Sequence, residues 1–458
     1  MTKYDAIIIG TGQAGPSMAT RLASTGLKTA IIEKQHFGGT CVNNGCIPTK
    51  TLIASARAAH VSKHAAEYGI LINGDITVDM KRVKARKDEV SGKSNKGVKQ
   101  WLKGTENLTV YEGIGRFESD NTVRVGDELL EADKIFINVG SHAFVPPFEG
   151  LDEIDYLTNE NIMDVDFLPE HLIIVGGSYI GLEFAQMYRR FGSKVTVIEK
   201  SSGIIPREDE DVSTVIREVL EKEGVEFRFN ANCIAAEKRG DDIVIKLDCS
   251  DNNKEVKGTH LLFAVGRIPN TTDLGLDKTD IDVNEGGYIQ VDNQLRTTAS
   301  GVWALGDCNG QGAFTHTSYN DFEIVAANLL DDDQRKVSDR IMTYGLFVDP
   351  PLGRVGMTEN QARESGRNVL IGKRPMTQIG RAVEKGQTDG FMKVLVDADT
   401  KEILGAAIIG LNGDEVVHSI TDVMYAKMPY TVIQRAVHIH PTVSELIPTM
   451  LADLKPLI

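Results

Sequence analysis

Two stretches of the chain repeat one hydrophobic pattern: a short apolar run, a cluster of glycines, an amphipathic segment and a second apolar run. The first short run is Ala6–Ile9 and the second is Leu172–Val175. Runs of this length next to glycines predict buried strands, and the amphipathic segment after each one predicts a helix. The two stretches therefore predict two β-α-β units of the type that builds a parallel α/β sheet.

The glycines of the first unit follow the spacing of a dinucleotide-binding loop. Gly10 allows the tight turn, Gly12 lets the backbone approach a pyrophosphate, and Gly15 lets the helix pack closely on the strand. The N-terminus of the helix offers free N–H groups to the phosphates. Glu33 ends the second strand, where a carboxylate accepts hydrogen bonds from ribose hydroxyls. We therefore expect a nucleotide to bind at this unit.

The loop of the second unit departs from that spacing at one position. Gly176, Gly177 and Gly181 are present, but Ser178 stands where the middle glycine of the motif normally lies. Serine is small and its hydroxyl group could contact a phosphate, so this unit is also predicted to bind a nucleotide. A β-α-β unit that binds nothing is the alternative for this stretch.

The residue at the end of the second unit bears on the choice between NADH and NADPH. Glu199 stands there, and a carboxylate at this place binds the ribose 2′-hydroxyl and repels a 2′-phosphate. Lys200 and Arg207 lie close by in the sequence and would act in the opposite sense. The position of Glu199 favours NADH.

Length and composition limit the class of protein. With 458 residues the chain exceeds one ordinary hydrophobic core, so about three domains are expected. Its net charge of −15 argues against a nucleic-acid or anionic-membrane surface, because phosphate binding needs basic residues. The chain has no apolar run near the roughly 18 residues of a membrane span and no signal-peptide pattern. We therefore expect a cytoplasmic protein with no membrane or nucleic-acid partner.

Two of the five cysteines lie close together in the stretch GGTCVNNGCIPTK, residues 38–50. A zinc site would want four ligands, and no second cysteine pair accompanies Cys41 and Cys46. Inert buried cysteines would not need the surrounding glycines. A redox-active disulfide needs two sulfurs within bonding reach and gains from a nearby positive charge, which Lys50 offers. The residues thus favour a redox-active pair, and no metal site is predicted.

The motif GGTCVNNGCIPTK resembles the redox-disulfide motif of the pyridine nucleotide–disulfide oxidoreductases, the family of dihydrolipoamide dehydrogenase, glutathione reductase and mercuric reductase. The resemblance covers nearly the whole chain. Residues 10–33 resemble the FAD site of the family, residues 176–199 its NAD(P)H site, and residues 303–307 its second FAD motif. Residues 347–362 resemble the start of its dimerisation domain, and HIHPTVSE, residues 438–445, resembles its catalytic-base motif.

This resemblance implies an α/β fold in which two Rossmann-like nucleotide-binding domains, for FAD and NAD(P)H, precede a C-terminal α+β dimerisation domain. Pro146 and Pro147 mark a domain crossing, because proline does not continue a helix or a central strand. We place the FAD domain at residues 1–148 and 269–338, the NAD(P)H domain at residues 149–268 and the dimerisation domain at residues 339–458.

The resemblance also implies roles around the cysteine pair. Cys46 would be the charge-transfer thiol beside the flavin, and Cys41 would be the interchange thiol that meets the substrate. Lys50 would stabilise negative charge on the reduced flavin, with Glu183 as its partner, since a buried unpaired charge is costly.

The C-terminal motif supplies the acid–base pair that the family uses. An imidazole such as His440 can donate or accept a proton near pH 7, and a carboxylate such as Glu445 fixes its tautomer. In this family the histidine reaches the active site of the partner subunit, which implies an obligate homodimer. The residues that the resemblance assigns to cofactor binding are Gly10, Gly12, Gly15, Glu33, Gly39, Thr40, Lys50, Gly113, Gly140, Asp307, Thr315, Gly176, Gly177, Ser178, Tyr179, Ile180, Gly181, Glu199, Gly266 and Arg267.

The implied function is that of an FAD-dependent oxidoreductase that passes electrons between NAD(P)H and a small disulfide, dithiol or thiol-reactive oxidant. Two substrates stay open. A dihydrolipoamide dehydrogenase would dock on a 2-oxo-acid dehydrogenase complex, whereas the mercuric-reductase-like flavoproteins include free-standing enzymes that act on oxidants such as hypothiocyanous acid. The alternative from another class is a catalytically idle flavoprotein scaffold with an interaction role.

Overall fold

The computed structural model describes residues 1–249 and 254–457. Its strands, in chain order, are β1 (Thr2–Ile9), β2 (Thr29–Glu33), β3 (Leu108–Glu112), β4 (Gly115–Ser119), β5 (Thr122–Val125), β6 (Glu128–Ile137), β7 (Ser141–Ala143), β8 (His171–Val175), β9 (Lys194–Ile198), β10 (Val225–Arg228), β11 (Asn232–Arg239), β12 (Asp242–Asp248), β13 (Glu255–Gly258), β14 (His260–Phe263), β15 (Arg267–Pro269), β16 (Val302–Ala304), β17 (Thr343–Leu346), β18 (Leu352–Gly356), β19 (Val369–Pro375), β20 (Phe391–Asp397), β21 (Ile403–Ile409) and β22 (Lys455–Pro456). Its α-helices are α1 (Ala14–Ser24), α2 (Gly39–Asn43), α3 (Cys46–Lys63), α4 (Met80–Gly104), α5 (Tyr179–Phe191), α6 (Glu210–Lys222), α7 (Thr315–Leu330), α8 (Glu359–Glu364), α9 (Gly380–Glu384), α10 (Gly413–Val416), α11 (His418–Tyr425), α12 (Thr431–Arg435) and α13 (Ile447–Ala452).

The first sheet contains the first β-α-β unit. Its strand order is β3-β2-β1-β6-β5-β4, and β16 joins it in parallel beside β6 although it comes much later in the chain. Strand β2 is buried along its whole length, and separate apolar clusters cover the two faces of the sheet. Parallel strands of continuous apolar sequence need this double cover. The carboxyl ends of β1, β2, β6 and β16 meet at one edge, where open α/β sheets bind their ligands.

The second sheet contains the second β-α-β unit and is parallel throughout, in the order β10-β9-β8-β14. Strands β11, β12 and β13 form a small antiparallel sheet that packs against it through a shared apolar cluster. Strands β7 and β15 pair antiparallel, so the two chain segments that join the first and second sheets run side by side. The paired strands β7 and β15 therefore connect the first unit to the second.

The C-terminal region is built on an antiparallel sheet in the order β17-β18-β21-β20-β19-β22. Strands β20 and β21 are buried along their whole length. Helices α10, α11 and α13 cover one face of the sheet. Residues of α3, α5, β17 and β20 share one large apolar cluster, so the C-terminal region packs on the second unit and on the helix that follows the cysteine pair.

The predicted fold class is confirmed, because two parallel β-α-β units precede an α+β region. The return of β16 to the first sheet agrees with the split FAD domain, while the residue borders at 148, 268 and 338 stay predictions. Among the residues that the structure describes, no helix combines the length and the apolar sequence that crossing a membrane requires.

Candidate active site

The first nucleotide-binding loop joins β1 to α1 and has no room for side chains at its glycines. Gly10 has a φ of +103°, and a Cβ there would lie 2.3 Å from the carbonyl oxygen of Asn138. A Cβ on Gly12 would lie 2.8 Å from Asn138 Oδ1, and one on Gly15 would lie 2.2 Å from the Gly10 carbonyl oxygen. The Gly15 N–H donates a hydrogen bond to Asn138 Oδ1, which fixes the loop. At Gly10 and Gly12, therefore, only backbone faces the cavity.

Glu33 ends β2 beside this loop, and four protein groups hold its carboxylate. Oε2 accepts hydrogen bonds from the N–H of Thr11 at 3.1 Å and from its hydroxyl group at 2.5 Å. Oε1 accepts hydrogen bonds from the N–H groups of Gln35 and His36 at 2.8 and 3.0 Å. The carboxylate is therefore buried and fixed in one orientation.

The second loop repeats the backbone geometry of the first. Gly176 has a φ of +113°, and a Cβ there would lie 2.4 Å from the carbonyl oxygen of Ala264. A Cβ on Gly181 would lie 2.0 Å from the Gly176 carbonyl oxygen. Ala264 thus occupies the place that Asn138 occupies in the first unit. Because a methyl group leaves the space that the amide of Asn138 fills, Ser178 fits where the first unit requires glycine.

Glu199 ends β9 beside the second loop and is held less completely than Glu33. Its Oε2 accepts the N–H of Gly177 at 2.7 Å and its Oε1 accepts the N–H of Ser201 at 2.8 Å. A carboxylate has about four lone-pair sites, so roughly half of its accepting capacity is left for a ligand. Lys200 and Arg207 also line the cavity.

A continuous cavity of about 3250 Å³ connects the two loops and the cysteine pair. The predicted site residues that line it are Gly10, Gly12, Glu33, Gly39, Thr40, Cys41, Cys46, Lys50, Gly113, Gly140, Gly176, Ser178, Tyr179, Ile180, Glu183, Glu199, Gly266, Arg267, Asp307 and Thr315. The predicted site residues outside its lining are Gly15, Gly177, Gly181, His440 and Glu445. The three glycines of this second group lie behind the loops and act through close packing.

Asp307, which follows β16, belongs to a polar cluster between the two domain-connecting segments. Its carboxylate accepts a hydrogen bond from the hydroxyl group of Ser141 at 2.6 Å. Arg267 donates to the same hydroxyl group at 2.7 Å and to the Ser141 carbonyl oxygen at 2.5 Å, and its Nε lies 3.8 Å from Asp307. The guanidinium group therefore ties the second unit to the edge of the first sheet.

The two cysteines lie on consecutive helices that are separated by a sharp turn. Cys41 lies in α2 and is half-buried, whereas Cys46 begins α3 and is exposed. Gly45 forms the turn, and a Cβ there would lie 2.7 Å from the carbonyl oxygen of Thr40. The hydroxyl group of Thr315, at the start of α7, lies 3.0 Å from Cys46 Sγ. The fold therefore brings both thiols and a hydroxyl group to one point of the cavity.

The two thiols have opposite electrostatic settings. A hydrogen bond from the Cys41 thiol is the largest cause that lowers the pKa of Cys46, and the Thr315 hydroxyl group and the positive charge of Lys50 act in the same direction. The pKa of Cys41 is raised, first because its thiol donates to Cys46 and also because it is buried. Of the two thiols, Cys46 is therefore the one that ionises first.

Lys50 extends from α3 to a fixed partner on the second unit. Its Nζ lies 2.7 Å from Oε2 of Glu183, which is almost fully buried on α5. The other carboxylate oxygen of Glu183 accepts the N–H of Phe347 at 3.1 Å, and the ammonium group lies 4.4 Å from the centre of the Phe347 ring. Residues from all three regions of the chain thus fix this cation near Cys46.

The predicted acid–base pair lies away from the cavity of its own chain. His440 Nδ1 lies 2.9 Å from Glu445 Oε2, and the histidine side chain is 81% exposed. A carboxylate at Nδ1 leaves Nε2 for proton transfer. The neighbouring Val437 and Ile439 are exposed as well, at 101% and 80%. Exposed apolar side chains around a histidine are typical of a surface that another chain covers.

The sequence did not identify several residues that shape the cavity. Asn138 fills the centre of the first loop, a contact that the sequence did not predict, although the stretch NVGS, residues 138–141, resembles the FAD-domain exit of the family. Phe314 and Tyr344 stack on one another beside Tyr179. Their contacts join segments far apart in the chain, so no local pattern predicts them.

Comparison with protein families identifies the class. Residues 4–321 match the pyridine nucleotide-disulphide oxidoreductase family, and residues 342–451 match the dimerisation domain of the pyridine nucleotide-disulphide oxidoreductases. The chain belongs to this family. It is an enzyme, an NAD(P)H-dependent flavoprotein disulfide oxidoreductase with FAD as its cofactor. The alternative of an idle scaffold is not favoured, and the dimerisation domain indicates a homodimer.

Known relatives match over almost their whole length. The chain is 37% identical to the probable pyridine nucleotide-disulfide oxidoreductase RclA of Escherichia coli, covering 97% of this chain and 98% of that protein. It is 34% identical to the dihydrolipoyl dehydrogenase of Bacillus subtilis, covering 97% of each. The solved structure of the HOCl-induced flavoprotein disulfide reductase RclA from Escherichia coli superposes with a TM-score of 0.90 at 35% identity, covering 99% of this chain and 100% of that one.

The first unit has room for an FAD molecule beside its loop, because glycines leave that space free of side chains. A Cβ on Gly39, at the start of α2, would lie 2.9 Å from Gly12 Cα, so two glycine backbones face one another across the loop. Both residues line the cavity that leads to Cys46. A pyrophosphate needs this close approach of backbone, and the isoalloxazine end of the cofactor needs the open path toward the thiols.

Proposed function

We propose that this enzyme uses NADH to reduce a small thiol-reactive oxidant of the hypothiocyanous-acid type. The observation that carries the proposal is the full-length similarity to RclA of Escherichia coli, whose solved structure is described as that of an HOCl-induced flavoprotein disulfide reductase. The half-burial of Cys41 supports it, because the thiol that meets a small oxidant must be accessible. When bound, FAD supplies the two-electron relay between the nicotinamide and the cysteine pair.

In this proposal the two thiols perform successive steps. The Cys41 sulfur attacks the electrophilic sulfur of hypothiocyanous acid, and the proton of the thiol leaves with the hydroxyl group as water. The Cys46 thiolate then attacks the Cys41 sulfur, which forms the Cys41–Cys46 disulfide and releases thiocyanate. The cysteine pair loses two electrons and the oxidant gains two. The lowered pKa of Cys46 keeps the second nucleophile ready, and the raised pKa of Cys41 explains why the first needs a base.

The base that we propose is His440 of the partner subunit. Glu445 orients its ring through Nδ1, so Nε2 can take the Cys41 proton and return it to the departing oxygen. The exposed position of His440 supports this role, since within one chain it faces away from the cavity. The enzyme would then work only as a homodimer. Lys50 and Glu183 would stabilise negative charge beside the cofactor.

We also propose that NADH is preferred over NADPH. Glu199 lines the second loop with free accepting capacity for ribose hydroxyl groups, and its charge would repel a 2′-phosphate. Tyr179, Ile180, Gly266 and the other residues assigned to cofactor binding would hold the dinucleotide or FAD as the sequence predicts. The cytoplasm, where thiols are kept reduced, is the proposed compartment.

Dihydrolipoamide is the second candidate substrate. The 34% identity to the dihydrolipoyl dehydrogenase of Bacillus subtilis favours it almost as strongly as the RclA match favours an oxidant. An enzyme of that kind would run in the reverse direction, from dithiol to NAD⁺, and would dock on a 2-oxo-acid dehydrogenase complex.

The deciding experiment compares both reactions with one preparation of the dimeric holoenzyme. We expect NADH-dependent reduction of hypothiocyanous acid with a turnover of about 1–10³ s⁻¹ and NAD⁺ reduction by dihydrolipoamide at a small fraction of that rate. The His440→Gln variant should lose about 10²-fold in the first reaction while NADH still reduces its flavin. Fast dihydrolipoamide turnover with little oxidant reduction would overturn the proposal in favour of the second candidate.

A further inference from the structure

An ion cluster is buried between the second unit and the C-terminal sheet. Arg354, on β18, is fully buried and donates hydrogen bonds to Glu208 and to Asp209, the latter at 2.7 Å. Both carboxylates lie in the segment between β9 and α6, so the contact crosses from one domain to the other. Burying these charges is expensive unless each one is paired, and here each one is.

A second cation completes the cluster. Lys393, on β20, lies 2.8 Å from Asp209, 2.7 Å from Asp211 and 2.7 Å from Glu359. Its ammonium group takes the central place among three carboxylates that could otherwise face a metal ion. The cluster is therefore a closed protein network, which holds Glu208 rigidly.

One member of the network reaches the large cavity. The hydroxyl group of Tyr344, on β17, donates a hydrogen bond to Glu208. The Tyr344 ring stacks on Phe314 with centroids 5.7 Å apart and an interplanar angle of 6°. Its edge meets Tyr179 at 5.4 Å and 79°. All three rings line the cavity, and together they form an aromatic wall.

The aromatic wall, Tyr179, Phe314 and Tyr344, lies between the second loop and the cysteine pair. Tyr179 directly follows Ser178 of the loop and begins α5. Phe314 directly precedes Thr315, whose hydroxyl group lies 3.0 Å from Cys46 Sγ. Burial is the first cause that raises the pKa of Tyr179, and the negative charge of Glu208 acts in the same direction. The wall thus connects a residue next to the second loop with a residue next to Thr315.

We propose that Tyr344, held by the Glu208–Arg354 pair, is a positioning residue that fixes the aromatic wall against which the nicotinamide end of the dinucleotide is placed. This inference rests on the proposed dinucleotide role of the second loop and is independent of which oxidant or dithiol is the substrate. A hydrophobic contact would hold the two domains together at lower desolvation cost, so the charged network is better explained by its directional hold on one hydroxyl group. Hydride transfer depends steeply on such placement.

The test uses Tyr344→Phe, which keeps the stacked ring and leaves Glu208 paired with Arg354, so the fold should persist. Tyr188→Phe is the matched control: Tyr188 is a buried tyrosine on α5, the helix of Tyr179, and lies outside the cavity lining. In anaerobic rapid-mixing experiments, the limiting rate of flavin reduction by NADH should fall about tenfold in Tyr344→Phe. The dissociation constant of ADP-ribose, which lacks the nicotinamide, should stay within about twofold.

A structural readout accompanies the kinetics. A crystal structure of Tyr344→Phe without dinucleotide should show the Tyr179 ring in more than one conformer, whereas Tyr188→Phe should retain one. Tyr344→Leu, which removes the ring, should slow flavin reduction further. If Tyr344→Phe is folded and reduces its flavin at the wild-type rate, the inference is wrong. If wild-type flavin is reduced by neither NADH nor NADPH, the proposed dinucleotide site itself is wrong, and the two failures are thereby distinguished.

Discussion

The two nucleotide-binding loops have the same backbone and differ in what their side chains leave open. The first glycines of the two loops make equivalent contacts: Gly10 with Asn138 and Gly176 with Ala264. Both have a φ above +100°. In the first loop the Asn138 amide fills the centre and excludes any side chain at Gly12. The second loop has alanine instead and accepts a serine. The backbone path is therefore the common requirement, and the middle position depends on one neighbouring side chain.

The glutamates that end the two units also differ, because the protein holds the first with more hydrogen bonds than the second. Four protein donors hold Glu33, whereas two hold Glu199. A carboxylate that four protein donors hold in one orientation suits a cofactor that stays bound, and a ribose hydroxyl group that bound it would share an oxygen with one of these donors. A carboxylate with free lone pairs can exchange water for ribose hydroxyl groups each time a dinucleotide binds and leaves. We therefore expect the first unit to hold FAD permanently and the second to exchange its ligand.

The largest effect is expected when the third glycine of each loop is replaced by alanine. Gly15→Ala and Gly181→Ala each place a methyl group within 2.2 Å of a carbonyl oxygen. We expect Gly15→Ala to lose FAD and all activity, because the loop must move. Gly181→Ala should stay yellow but bind NADH at least about 10²-fold more weakly, since about 2.7 kcal/mol or more of contact is lost. Flavin absorbance per protein and an NADH titration measure the two effects.

Gly97→Ala is the control for those variants. Gly97 lies in α4 with no atom within 4 Å of an added Cβ, so alanine should slightly stabilise the helix and leave both ligands bound. Full FAD content in Gly15→Ala would contradict the distinction between a fixed and an exchanging unit.

The next largest effect is expected at the place where the two units meet. Cys46→Ser should retain FAD and its reduction by NADH. Substrate reduction should fall on the order of 10³-fold, because the thiolate that attacks the Cys41 sulfur is absent. It should also lose the long-wavelength thiolate–flavin band that anaerobic NADH produces. Cys41→Ser, the matched variant, should lose turnover but retain a band. A band of normal strength in Cys46→Ser would show that the roles of the two cysteines are assigned wrongly.

Much of this arrangement was predictable from sequence because it is local. The glycine spacing, the acid after the second strand and the cysteine motif each lie within about 30 residues of continuous chain, where strand, turn and helix follow one another in fixed order. The resemblance to the family then implied Glu183 as the partner of Lys50, a pairing that crosses 133 positions and that the structure places at 2.7 Å.

The features that sequence did not reveal depend on packing between distant segments. Nothing in the sequence around Arg354 indicates that it would be fully buried against Glu208, 146 positions earlier. The tolerance for Ser178 likewise depends on Ala264, which the strand pattern alone does not place beside it. Such contacts follow from how the domains dock, and that docking is set by apolar surfaces rather than by a motif.

A pH titration tests how the surroundings of Cys46 set its charge. Its pKa is lowered to about 6, first by the hydrogen bond from Cys41 and also by the Thr315 hydroxyl group and Lys50. The thiolate is present above this pKa, so the long-wavelength band of the reduced enzyme should fade as the pH drops through about 6. Thr315→Val removes one stabilising hydrogen bond and should move the midpoint to higher pH. Thr51→Val, on the same helix as Cys46, should leave it unchanged.

The smallest expected effect is at the acid of the exchanging unit. Glu199→Gln keeps the size of the side chain and removes the charge that would repel a 2′-phosphate, so the ratio of kcat/KM for NADH over NADPH should fall about fivefold, equivalent to about 1 kcal/mol. Glu226→Gln, which removes a charge on the adjacent strand β10 outside the cavity, is the control. An unchanged ratio in Glu199→Gln would mean that Lys200 and Arg207, rather than Glu199, govern the choice of dinucleotide. Glu33 and Glu199 would then differ in their hydrogen bonds without a difference in ligand choice.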